Sequence, residues 1–241
     1  MIRFLAPLLV CCGLVAGQTA QEWLQEGVNA FKAAQYDEAI DNFKQAIALE
    51  PKSVPALLHL AAAYMATPED GEKARLGRET YARVLELEPK NLKASGAMAA
   101  LSFAQVGVAG ADLEEARRWQ LRLLELQPDA KEAHFALGVI AWTRFYPAWQ
   151  AARRRAGLKP EDAGPFKDSK LRASMKAEWG AVLQEGMDHL ERAFALDPGY
   201  DEALARLSVL MRERADLSDN QYAWLAEVKK ADALLKRASH R

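Results

Sequence analysis

The sequence predicts an all-α fold made of successive helix pairs. Four stretches of helical periodicity end in leucine, an acidic or amide residue and proline, and these endings are Leu49-Glu50-Pro51, Leu87-Glu88-Pro89, Leu126-Gln127-Pro128 and Leu196-Asp197-Pro198. Proline has no amide hydrogen and cannot continue a helix, so each ending stops a helix at the same phase. No alternating β-branched run indicates a sheet. Recurrence at a fixed phase is typical of a repeat array, in which each unit is stabilised by stacking on its neighbours.

Small residues recur within the repeats at two positions. One position holds Gly27, Ala61, Ala99, Gly138 and Ser208, and the other holds Ala39, Gly77, Ala116 and Gly186. A small side chain at a crossing lets two helices approach closely, while large apolar residues fill the space between successive units. We therefore expect the two positions to face each other within each helix pair.

The first unit has the most specific pattern. It places Trp23, Gly27, Ala39, Phe43 and Ala46 at 28, 24, 12, 8 and 5 residues before its closing proline. This pattern resembles the tetratricopeptide repeat (TPR), a helix–turn–helix unit of about 34 residues. The resemblance implies a right-handed α-α superhelix of TPR helix pairs over residues 18–241. Segments 137–143 and 212–217 also resemble exported bacterial TPR proteins.

The endings divide the array into five units, at about 20–53, 54–91, 92–130, 131–200 and 201–238. The second and third units exceed the family period by about four and five residues, which we expect in their turns. In the third unit Gln120 stands where an aromatic residue is usual. The fifth unit is predicted to be a cap, in which Ser218 to Gln221 start a helix. Its predicted apolar face comprises Tyr222, Leu225, Val228 and Leu235.

The fourth unit contains an insertion, at residues 144–180, which forms either a separate loop or a helical hairpin that projects from the array. Helical spacing favours the hairpin. Its two apolar stripes are Phe145, Trp149 and Ala152, then Leu171, Met175, Trp179 and Val182. Asp168 is predicted to cap the returning helix, and Pro147 predicts a kink or break.

Basic residues crowd towards the predicted hairpin tip, at Arg153, Arg154, Arg155 and Lys159. Such a cluster is typical of a solvated helix end, where cations favour the C-terminal dipole. The alternative is a contact for an acidic lipid or an acidic partner.

The N-terminus predicts export. Arg3 precedes an apolar run at 4–16, which is short for a membrane span and typical of a secretion signal. We expect a signal peptide at 1–17 and a periplasmic or secreted protein, and the alternative is an uncleaved membrane anchor at 4–16. Both cysteines lie in this leader, and Val10 before Cys11 disfavours lipidation. The mature chain would then have no disulfide and no thiolate metal site.

Net charge and the absence of catalytic motifs argue against several functions. The net charge of −1 argues against a nucleic-acid binder. No catalytic motif is present, so we expect no enzyme, no cofactor and no metal. The four histidines are scattered over different units. Glu185 and His189 are one helical turn apart, which permits a metal pair but is more typical of a solvated face.

The TPR resemblance implies a concave groove lined by the first helix of each unit. Its inward positions correspond to Leu24, Val28, Phe31, Leu58, Ala62, Met65, Ala100, Phe103, Phe135, Val139 and Trp142. These apolar and aromatic residues favour a protein or peptide segment as partner, although they could instead pack within the array. Val28, Ala62 and Ala100 argue against the polar carboxylate clamp of one TPR subclass.

We thus expect an exported scaffold or adaptor. The alternative is structural assembly or docking to a membrane complex through the hairpin. A membrane contact would require an uncleaved or lipidated leader, and the sequence leaves the oligomeric state open.

Overall fold

Ten α-helices make up the part of the chain that the computed structural model describes, residues 18–67, 70–159 and 162–239, and these ranges contain no strand. The helices are α1 Ala20–Lys32, α2 Tyr36–Leu49, α3 Val54–Met65, α4 Gly71–Leu87, α5 Leu92–Phe103, α6 Leu113–Leu126, α7 Lys131–Arg155, α8 Ser169–Leu196, α9 Asp201–Ala215 and α10 Gln221–Ser239. Consecutive helices pack in pairs, so the all-α prediction is confirmed. The predicted leader at 1–17 lies outside the described residues.

Short polar side chains begin several of the helices. Thr19 and Glu22 form a capping box at α1. At α8, Asp168 accepts hydrogen bonds from the amides of the first turn, as predicted. The start of α10 was predicted less well, because Asn220 rather than Ser218 caps it and accepts from Ala223 N at 3.0 Å.

The described residues divide into two compact units, each larger than a single repeat: the first unit ends at Leu87 and the second unit begins at Glu88. In the first unit, α1–α4 enclose a core that includes the fully buried Phe43. A Cβ added to Gly27 would lie 2.5 Å from the Phe43 ring. The small residue therefore lets the ring pack against α1.

In the second unit, α7, α8 and α9 enclose a larger core that contains Phe145, Leu183 and Leu190, and Leu234 of α10 packs against it. The predicted small positions form close crossings here as well. A Cβ on Gly138 would collide with Leu190, and one on Gly186 would lie 2.6 Å from Ala141 Cβ. These crossings explain why the sequence repeats small residues at two fixed places.

Gln120, the residue at a usually aromatic position, is buried in the second unit. Its Nε2 donates to the carbonyl oxygen of Ala99 at 2.8 Å. A buried amide is tolerated when it is hydrogen-bonded. The extra residues of this helix pair lie between α5 and α6, where Gly107 and Gly110 have φ of +93° and +83°.

The insertion forms the extended part of α7 and α8. Phe145 packs edge-on against Trp179 with ring centroids 5.9 Å apart, so the two predicted apolar stripes meet. Leu183 is fully buried, whereas the predicted Val182 is half-buried. The predicted break at Pro147 is wrong, because α7 continues through this exposed residue.

The end of the α7–α8 pair is not a projecting tip. Phe166, in the loop that follows α7, is fully buried in the core of the second unit. Its backbone amide donates to the carbonyl oxygen of Asp216 at 3.0 Å. The loop is thereby held against the end of α9.

The buried face of α10 also differs from the prediction. Ala231 is fully buried beside Ser208, whose Oγ donates to the Ala231 carbonyl at 2.8 Å. Tyr222 and Leu225 are 87% and 42% exposed. The predicted periodicity was correct in spacing but rotated by about one position, because Trp224, Val228 and Ala231 face inwards.

Candidate functional site

The predicted groove residues are half-buried in both units. In the first unit, Leu24, Val28 and Phe31 pack on the edge of the α1–α4 core. Leu58 and Met65 are also half-buried, and Met65 covers Gly77. In the second unit, the half-buried members are Phe103, Phe135, Val139 and Trp142. Partial exposure is compatible with a binding surface, and the binding role of these residues stays a prediction.

A continuous aromatic stripe runs along α7. We define it as Phe135, Val139, Trp142, Tyr146 and Trp149, which are spaced four, three, four and three residues apart and are all half-buried. The Trp142 and Tyr146 centroids are 4.8 Å apart, and those of Tyr146 and Trp149 are 5.7 Å apart. The groove prediction omitted Tyr146 and Trp149, although continuing the helical spacing beyond Trp142 would have found them.

Neighbouring helices contribute aromatic rings at the start of the stripe. Phe103 of α5 lies edge-on to Phe135, with centroids 6.5 Å apart. Tyr200, which precedes α9, has its centroid 5.1 Å from the same ring. The stripe is therefore a surface built from three segments of the second unit.

Charged side chains of α9 flank the middle of the stripe. The Arg206 guanidinium lies 4.4 Å from the centroid of the Trp142 ring. The Trp142 Nε1–H donates to Glu213 Oε2 at 3.0 Å. Glu213 is only 7% exposed, and burial raises the pKa of its carboxyl to about 7. No cation lies within ion-pair distance of it among the described residues.

Asp216 joins three segments at the far end of the stripe. Its carboxylate forms a buried ion pair with Arg153 and accepts from the indoles of Trp149 at 3.0 Å and Trp224 at 3.3 Å. The other side of the Arg153 guanidinium donates to the carbonyl oxygen of Asp162 at 2.7 Å. These bonds connect α7, the following loop, the end of α9 and α10.

This network corrects the predicted basic tip. Arg153 is 5% exposed and its two terminal nitrogens bind Asp216 and the loop, so it does not belong to a solvated cluster. Arg154, Arg155 and Lys159 are exposed. Sequence reasoning missed the pair because its two members are 63 residues apart.

A pocket of about 360 Å³ opens beside this network. Its lining residues are Trp149, Arg153, Asp162, Ala163, Val209, Arg212, Glu213, Asp216, Trp224 and Val228. A smaller hollow of about 180 Å³ near Tyr146 shares Trp149, Arg153 and Glu213 with it. The aromatic stripe thus leads to a cavity with two tryptophans and several carboxylates in its wall.

Two of the histidines, expected to be scattered, are joined by the α7–α8 pair. His134 Nδ1 lies 2.8 Å from His189 Nδ1, and His134 Nε2 lies 3.0 Å from the Pro128 carbonyl oxygen. Because a carbonyl only accepts, His134 donates to it and accepts from His189. Burial and the neighbouring His134 lower the pKa of His189. Glu185 pairs with Arg117 at 2.6 Å.

No three histidine, cysteine or acidic side chains within residues 18–67, 70–159 and 162–239 come close enough to hold a metal ion. No helix in the same ranges has the length and hydropathy that crossing a bilayer requires.

Glu213 predicts a measurable pH dependence of stability. Its folded pKa of about 7 exceeds the ordinary value of 4.5, so its contribution is fully present below pH 4.5 and is lost as pH rises through 7. We expect Glu213→Gln to be more stable than the parent at about pH 8, by on the order of 1–2 kcal/mol, and equal near pH 4. Urea unfolding at both pH values measures this.

The appropriate control is Glu202→Gln, because Glu202 is exposed on the same helix. It should leave the pH dependence unchanged. His189 acts in the opposite direction, because its lowered pKa makes stability fall as pH drops below 6.5, and this component is common to all three proteins. If the free energy of unfolding changes with pH equally in the parent and in Glu213→Gln, Glu213 ionises normally in the fold.

Comparisons with known proteins agree with this architecture. Residues 30–76 match the sequence family described as tetratricopeptide repeat. No curated protein matches the chain at a significant level. A crystal structure of MamA protein has a TM-score of 0.59 at 15% identity, covering 91% of this chain and 89% of that chain. MamA from Desulfovibrio magneticus RS-1 has a TM-score of 0.57 at 14% identity, with 93% and 99% covered.

These identities are low, so the likeness to MamA concerns the fold. The matched segment contains the last three residues of α1, all of α2 and α3, and the start of α4. The further helices follow the same paired arrangement along the described chain. Residues 30–76 therefore match the tetratricopeptide repeat, and the fold of the described chain is similar to that of MamA.

Proposed function

We propose that the protein is a scaffold that binds a protein segment along the aromatic stripe of α7. TPR folds support protein–protein interaction in general. The observation that favours this particular surface is the row of half-buried rings from Phe135 to Trp149, which is extended by Phe103 and Tyr200. Aromatic residues are frequent binding hot spots because they bury a large area with few rotatable bonds.

The energetics require that the segment contacts several of these rings. Burying one large apolar side chain contributes roughly 1.5–3 kcal/mol, whereas association costs about 4–15 kcal/mol. A contact with one ring would therefore be too weak. An extended or helical segment with several apolar side chains matches the length of the stripe better than a small molecule does.

The stripe can be tested with peptides selected from a random library on the purified chain. We expect Phe135→Glu to weaken binding of the selected peptides at least tenfold, because a carboxylate would lie between Phe103 and Tyr200. Tyr222→Glu is a matched control, since Tyr222 is aromatic but 87% exposed on α10. Circular dichroism checks that both variants remain helical.

Equal peptide affinity in Phe135→Glu and the parent would refute the stripe as the binding surface. If Phe135→Glu loses helicity, Val139→Lys provides the same comparison at a second half-buried position.

Self-association or membrane docking through the α7–α8 pair has less support. One of the two tryptophans that motivated it, Trp179, packs edge-on against Phe145 and has a buried indole nitrogen. We also propose that the protein is exported. This part of the proposal rests on the predicted leader at residues 1–17.

A further inference from the structure

We propose that the pocket at the end of the aromatic stripe binds the cationic side chain of a lysine or arginine in the docked protein segment. This inference rests on the proposed function for its partner, and it adds a charge requirement to a surface that is otherwise apolar. The pocket volume, about 360 Å³, is at the small end of the range of about 300–1,000 Å³ for ligand sites.

The charges in the pocket wall favour a cation. Both arginines of the wall are already paired, Arg153 with Asp216 and Arg212 with Asp232. Glu213 and Asp162 have no cationic partner among the described residues. The unmatched charge of the wall is therefore negative, and an anionic ligand would meet carboxylates without gaining a free arginine.

The remaining walls suit the aliphatic and cationic parts of a basic side chain. Val209 and Val228 provide apolar surface for a methylene stem. The rings of Trp149 and Trp224 are held in place by their hydrogen bonds to Asp216. An indole ring attracts a cation through its negative face.

Glu213 is poorly compensated when it is ionised. Arg206 faces it from the same helix, and Asp216 opposes its ionisation. From α7 it receives the Trp142 hydrogen bond, and Arg153 and Arg212 of the pocket wall are paired elsewhere. A bound cation would supply the missing charge partner, so we expect binding to strengthen between about pH 6 and pH 8.

The test is a titration with Nα-acetyl-lysine methylamide at about pH 8, followed by NMR of the indole N–H signals. The neutral norleucine analogue, which keeps the four-carbon chain and lacks the ammonium group, is the ligand control. We expect the signals of Trp149 and Trp224 to shift with the lysine compound and to change little with norleucine. Glu213→Gln should weaken lysine binding at least tenfold, whereas Glu202→Gln, on the same helix but away from the pocket, should not.

Equal shifts with both compounds, or equal lysine affinity in Glu213→Gln and the parent, would overturn the proposal. The experiments can refute peptide binding along the stripe and cation binding in the pocket independently of each other. Phe135→Glu should abolish binding of the selected peptides and leave lysine binding intact. If Phe135→Glu binds the peptides normally while Glu213→Gln loses lysine binding, the stripe is refuted and the pocket stands.

Discussion

Replacing Asp216 with alanine is expected to lower the free energy of unfolding by about 3–5 kcal/mol. The substitution leaves the buried Arg153 guanidinium without its counterion. It also removes the acceptor for the Trp149 and Trp224 indoles. Breaking a buried ion pair from one side is more costly than losing the pair entirely, because the remaining charge stays in an apolar environment.

Urea denaturation followed by circular dichroism measures this loss. Asp219→Ala is a matched control, because Asp219 lies three residues away and pairs with Lys176 but its side chain is 80% exposed. We expect it to cost far less than Asp216→Ala, because solvent screens an exposed ion pair. Similar losses in the two variants would mean that the Asp216 network is solvated. Combining Asp216→Ala with Arg153→Met should recover part of the loss, since no buried charge then remains unpaired.

Replacing Gly138 with alanine is expected to destabilise the second unit by about 3 kcal/mol, the upper end of the usual range for overpacked cores. The added methyl group would lie less than 3 Å from three carbon atoms of Leu190. Leu190 is fully buried, so its side chain has no free space into which it can move. The helix pair α7–α8 must therefore separate or distort at this crossing.

Gly180→Ala is the corresponding control on the partner helix α8. A Cβ at this position meets nothing within 4 Å, and alanine favours the helix over glycine by about 1 kcal/mol. Thermal unfolding measures both variants. We expect a lower midpoint than that of the parent for Gly138→Ala and a slightly higher midpoint for Gly180→Ala. A Gly138→Ala protein with an unchanged midpoint would show that the α7–α8 crossing adapts without cost.

Local signals in the sequence were sufficient to predict the helices. The prolines after Leu49, Leu87, Leu126 and Leu196 mark helix ends because their effect depends on backbone chemistry alone. The Gly138 crossing was predictable because the requirement for a small residue repeats in every unit. Of the kink or break predicted at Pro147, the break is wrong, since α7 continues through this exposed residue.

The candidate site was less predictable, because it depends on contacts between distant segments. The charges of Arg153, Arg154 and Arg155 are indistinguishable in sequence, yet only Arg153 is buried against Asp216. Among the described residues Glu213 has no ion-pair partner, because Arg153 and Arg212 already pair with other carboxylates. No local pattern in the sequence shows this. Helical spacing alone would have extended the groove from Trp142 to Trp149.

The distance along the chain between Arg153 and Asp216 has a consequence during synthesis. The ribosome adds about 5–20 residues per second, so the arginine is made several seconds before the aspartate 63 residues later. In that interval the nascent α7–α8 hairpin has no anchor for its loop, and Phe166 lacks the backbone acceptor that holds it. The loop can therefore reach its anchored position only after the end of α9 has been made.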